Sequence, residues 1–144
     1  MTRSIILIAG LYYATTGIFL FMAPRAFYET TPGVAMMGPF NSHFIRDAGI
    51  AFLASGLGLA YGARRARSDV AIFTLGWPLG HAVFHIWIWL TRGMPFDTAA
   101  LVNLTGIQLP GWITLLAIIR LIRKGFAHAH LAPQPLRQGV RETL

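Results

Sequence analysis

The chain has 144 residues, room for one domain, and 55% of them are hydrophobic while only 12% are charged. Soluble domains carry about 25% charged residues, so a mean hydropathy of +0.56 argues against a water-soluble class and for a membrane protein. The lack of cysteine excludes disulfides, thiolate metal sites and a cysteine nucleophile. The net charge of +7 falls in short clusters between apolar runs, which fits loops touching anionic headgroups and gives no reason to expect nucleic acid.

Four runs reach the roughly 20 apolar residues that a spanning helix needs. The first, 4–22, contains no charge. Its apolar run is longer than that of a usual signal peptide, and "FMAPRAF" is a poor cleavage site, so a retained helix is expected. The second, 44–63, is charged only at its start; the third, 70–91, has no Asp, Glu, Lys or Arg; the fourth is 98–122. Strand alternation is missing, which argues against a barrel. Short connections predict an all-α, four-transmembrane-helix, up-down antiparallel bundle over residues 1–124. The polar, Pro-containing stretch 125–144 predicts a flexible cytoplasmic tail.

The basic residues set an orientation. With a cytoplasmic N-terminus, Arg3, Arg64, Arg65, Arg67, Arg120, Arg123, Lys124, Arg137 and Arg141 lie inside, against Arg25, Arg46 and Arg92 outside. That is a positive-inside bias with both termini cytoplasmic. Trp87 and Trp89 then fall near the outer interface, where aromatic belts lie.

Depth follows at about 1.5 Å per residue. His43 and Asp47 are one helical turn apart at the outer start of the second span, and so share a face. His81 and His85 repeat the i, i+4 spacing in "GHAVFH", and His85 falls at a depth similar to that of Asp47. Tyr13, Thr15, Thr16, Asn103, Thr105 and Gln108 add polarity to the same half, whereas the inner half is apolar. The pattern predicts a polar pocket opening outward over an apolar floor.

Two prolines add backbone polarity. Pro78 frees the carbonyl of Thr74 and Pro110 that of Gly106, and a freed carbonyl in lipid needs a partner from another helix or from water. Gly76 and Gly80 would permit close approach beside the kink. The second span is rich in small residues, with Ala51/Ser55 and Gly58/Gly62 as small-xxx-small steps that let helices approach.

Imidazoles and a carboxylate suit a transition metal ion, Zn, Fe, Mn or Cu, and two His with one carboxylate leave open positions. The expected ligands are Asp47, His85, His81 and His43, with Arg46, Asn103 and Gln108 around a bound group. A b-type haem is the alternative cofactor, held by one histidine from each of two helices. An organic-ligand pocket, or a cross-helix hydrogen bond from Asp47 to His85 or His81, is a further alternative. Tyr12 and Tyr13 read as packing, and "HAH" at His128 and His130 as solvated tail. Three functions stay open: a metal- or haem-binding and redox-active protein, an accessory or assembly subunit of a larger membrane complex, and a small transporter or proton relay. Partners beyond the lipid bilayer would be other membrane subunits or further copies of the chain.

The blocks "NSHFIRDAGIAFLASGLGLAYGARR" and "GHAVFHIWIW" resemble the DoxX-like group of small four-helix bacterial membrane proteins. The group's N-x-H-x-x-R-D-x-G block matches Asn41, His43, Arg46, Asp47 and Gly49, followed by His81 and His85 on the next helix. The resemblance covers most of residues 1–124. It implies a four-helix fold and a location in the bacterial inner membrane. Some relatives are linked to redox or sulfur metabolism, and this chain lacks the cysteines that thiol chemistry requires.

Overall fold

The computed structural model describes the backbone of residues 1–131 and the side chains of residues 1–125. The described residues are helical, without a strand: α1 (Thr2–Met22), α2 (Pro24–Thr30), a 3-10 turn (Ala35–Met37), α3 (Ser42–Arg65), α4 (Ser68–Thr74), α5 (Gly76–Thr91), α6 (Thr98–Val102), a π-helical segment (Asn103–Gln108) and α7 (Leu109–Leu131). Four stretches are long and apolar enough to cross a membrane: Thr2–Met22, Ser42–Arg65, Ser68–Thr91 and Thr98–Gly125. The helix α7 continues to Leu131, past the expected end of the fourth span at 122. Residues 132–144 lie outside the described residues.

Local chemistry explains the boundaries. Asn41 caps α3, its Oδ1 accepting from the N–H groups of His43 and Phe44, both at 3.1 Å. That cap starts the helix two residues before the expected 44. Ala66, at φ 55, ends α3 in the left-handed region. Asp97 caps α6 by accepting from Ala100 N–H at 2.8 Å and also takes Arg92 Nη2 at 2.6 Å. The Ala100 N–H first, and then Arg92, hold its carboxyl below the usual range.

The tightest packing joins α1 to α3, and glycine makes it. A Cβ on Gly10 would lie 2.7 Å from Ala60 N, and one on Gly17 would lie 2.5 Å from Gly49 O. As numbering rises on α1 it falls on α3, so this pair is antiparallel. Gly49 and Gly56 return the contact from the α3 side. The expected Gly58/Gly62 step serves a different neighbour, since these two glycines face Thr74 and Ala71 of α4. The expectation for Gly76 and Gly80 is corrected: a Cβ at either would meet nothing within 4 Å.

The two prolines act differently. The third span breaks at Leu75, three residues before Pro78, which separates α4 from α5. In the fourth span Leu109 N–H reaches the carbonyl of Leu104, and the helix widens to π spacing just before Pro110. The carbonyl of Gly106, which has no Pro110 N–H to accept, takes the hydroxyl of Tyr12 from α1 at 2.7 Å. That is the cross-helix partner the sequence calls for, and Tyr12 does more than pack.

Fully buried side chains gather toward the end where α1 begins and α3 finishes. Ile6, Leu59, Leu75 and Ile118 are 0% exposed, in one cluster with Ala63, Ala71 and Ala117. The opposite end holds the polar groups. There Tyr13 is 2% exposed, and among the described residues its hydroxyl has no hydrogen-bond partner.

The two neighbouring tyrosines therefore carry opposite expectations. Tyr12→Phe strands the Gly106 carbonyl and should cost about 1 kcal/mol. Tyr13→Phe removes an unsatisfied hydroxyl and should leave stability unchanged or raise it. Melting of the two variants in the same detergent measures the contrast; equal losses would contradict it.

Candidate functional site

The expected ligands separate into two pairs. On α3, His43 Nε2 and Asp47 Oδ2 are 3.4 Å apart, with side chains 88% and 58% exposed. On α5 the rings of His81 and His85 have centroids 4.4 Å apart. Among the described residues no three of His, Asp or Glu gather where they could hold one ion, so Asp47, His85 and a third histidine do not form the expected ligand set.

The helical phase of α3 explains this. Its buried stripe runs through Ile45, Gly49, Phe52, Ser55 and Leu59. Asp47 lies two residues from both Ile45 and Gly49, roughly 200° around the helix from each at 100° per residue. Its i, i+4 relation to His43 is kept, but their common face points away from the bundle centre. The i, i+4 spacing says which residues share a face and leaves open which face turns inward.

His81 and His85 occupy the flank of α5 that meets α3. Phe52 of α3 sets its ring edge against His81 with centroids 5.3 Å apart. Trp77, one turn before His81, stacks on it at 6.1 Å and 19°. Phe84 meets His85 edge-on at 6.2 Å and stacks on Trp87 at 5.8 Å. The result is a ladder of rings from the buried Phe52 to the exposed Trp87, with the imidazole pair at its centre. Tyr13 stacks on the far face of this group, its ring 5.9 Å from Phe52. Both histidines are partly exposed, and among the described residues neither imidazole makes a hydrogen bond or an ion pair.

The remaining expected residues have structural partners. Arg46 Nε donates to the carbonyl of Phe21 at 3.1 Å, satisfying one of the last carbonyls of α1. Gln108 Nε2 donates to the carbonyl of Ala82 on α5 at 2.9 Å and to Asn103 Oδ1 at 3.0 Å. Trp112 Nε1 donates to Gln108 Oε1 at 3.0 Å. Asn103 and Gln108 lie at the two ends of the π segment, so the widened turn brings them together and ties the fourth span to α5. Elsewhere, Glu29 takes Arg25 of the same helix, α2, at 3.3 Å, and Asp97 takes Arg92 at 2.6 Å. A cross-helix hydrogen bond such as that from Gln108 to Ala82 is worth about 0.6 kcal/mol in lipid.

Sequence reading missed the ring ladder and the role of Tyr12. The ladder was visible in part, since Trp77, His81, Phe84, His85 and Trp87 recur at spacings of three and four. Phe52 carried no such signal, because its partner lies on another helix.

No protein-family model, no curated protein and no solved structure matches this chain.

Proposed function

We propose that this is a multi-pass protein of the bacterial inner membrane whose α5 holds a transition-metal ion between His81 and His85. The four spans run alternately up and down, both termini are cytoplasmic, and the imidazole pair lies in the outer half. The basic residues support that orientation, nine against three. The N-x-H-x-x-R-D-x-G block at Asn41 to Gly49, shared with the DoxX-like group, supports the membrane location.

One observation carries the metal reading: two imidazoles with ring centroids 4.4 Å apart on one helix face, neither making a hydrogen bond or an ion pair among the described residues. Metal–nitrogen bonds are about 2 Å, so neighbouring rings at this separation can both reach one ion. A membrane offers few waters to satisfy an unpaired imidazole, and polar groups within a span are functional by default. Two protein ligands leave positions open for water or a small substrate, the arrangement of a redox or Lewis-acid centre rather than a closed structural site. Imidazole suits Zn, Cu and Fe better than Mn. A b-type haem fits less well, because His81 and His85 lie on one helix and could supply only one axial bond. Asp47 and His43 are not ligands in this reading.

The test is Cu(II) added to the chain in nanodiscs and followed by electron paramagnetic resonance. The expected spectrum shows one bound ion with coupling to two imidazole nitrogens, lost on acidification because protons compete for the ligands. A spectrum of free Cu(II), or one abolished by His43→Ala instead of His85→Ala, would overturn the assignment.

A further inference from the structure

At the other end of the bundle a cleft of about 240 Å³ opens between the start of α1 and the middle of α7. Its sides are Ile5, Ile113, Leu116 and Ala117, and its mouth holds Thr2 and Arg120. Ala117 is 3% exposed and forms the floor, whereas Ile113 and Leu116 are 47% and 55% exposed along the wall. Arg120 lies on the exposed surface and makes no ion pair or hydrogen bond among the described residues. No side-chain hydrogen bond caps α1 among the described residues, so the first turn of α1, whose N–H groups carry partial positive charge, lies beside the cleft that Thr2 and Ile5 line.

We infer that this cleft is a binding site for an anionic phospholipid, with the headgroup phosphate on Arg120 and the first turn of α1, and an acyl chain along Ile113 and Leu116. Three features meet there. The cleft is apolar below and cationic above, the polarity order of a lipid. It lies at the start of the first spanning helix, and its cation Arg120 stands near the end of the fourth, Thr98–Gly125, where headgroups are reached. Its cation belongs to the basic end of the bundle, shared with Arg64 and Arg65 of α3, where anionic lipid is attracted. A soluble anion would need the arginine but not the apolar wall.

The experiment uses the full chain, delipidated in detergent, and native mass spectrometry with phosphatidylglycerol or phosphatidylcholine of identical acyl chains. Retained phosphatidylglycerol should exceed phosphatidylcholine by about fivefold, the effect of one engaged basic group. Arg120→Gln should bring the two lipids level. Arg64→Gln, at the same end but outside the cleft, should leave the preference intact, and Arg120→Lys should keep most of it. Equal binding of both lipids would overturn the proposal. An equal loss in Arg64→Gln would replace it with diffuse surface charge. Displacement of phosphatidylglycerol by millimolar inorganic phosphate would reduce it to a bare anion site.

Discussion

Replacing Gly56 by valine is expected to separate α1 from α3 and to cost at least about 3 kcal/mol, the upper end of overpacking penalties. Even a single methyl at Gly56 would lie against the backbone N of Ala14 and 2.5 Å from Gly10 O. Both are backbone atoms of α1, which cannot rotate away as a side chain can. Gly17→Val acts on the same interface and should cost a similar amount. Gly80→Ala is the opposing control: its Cβ meets nothing within 4 Å, and alanine is the better helix former by about 0.5–1 kcal/mol. Thermal unfolding followed by size-exclusion chromatography should show Gly56→Val largely aggregated and Gly80→Ala at or above the parent melting temperature. If Gly56→Val melts with the parent, the glycine contact between α1 and α3 does not organise the bundle.

The second large effect is on binding. His85→Ala and His81→Ala should each weaken Zn(II) or Cu(II) binding by at least about a hundredfold, since even the groups supporting a ligand contribute ten- to a hundredfold. Folding should change little, because each substitution removes only ring contacts, worth about 0.5–1.5 kcal/mol. His43→Ala and Asp47→Ala, on the outer face of α3, should bind metal as the parent does. Isothermal titration of the four variants separates this account from the ligand set first expected from sequence. In that set Asp47 and His85 act on one ion, and Asp47→Ala would match His85→Ala.

That contrast shows what the sequence encodes here. The four spans were legible because lipid imposes about 20 apolar residues on any crossing helix. The need for a partner at Gly106 was legible because Pro110 removes a backbone donor by covalent structure, though only the packed bundle identifies that partner as Tyr12. The face of α3 that turns inward was not legible. Gly49 and Gly56 carry no hydrophobic signal of their own, yet their packing against α1 fixes the rotation. Asp47 and His43 then face outward together. The imidazole pair escaped this ambiguity, since both members lie on one helix and its spacing alone brings the rings together.

The Tyr13 hydroxyl gives the same end of the bundle a second unsatisfied group. It is buried without a hydrogen-bond partner among the described residues, and its ring stacks on Phe52, the residue against which His81 packs. An orphan hydroxyl costs about 1–3 kcal/mol, a cost that persists where function retains it. A polar ligand or ordered water beside the ring ladder would remove that cost.

The most direct measurement is the metal content and absorption spectrum of the chain purified from membranes without chelator. The account predicts close to one transition-metal ion per chain, with no Soret band, and near-zero metal in the His81→Ala/His85→Ala double variant. A chain that carries no stoichiometric metal, or a double variant that carries as much as the parent, would contradict it.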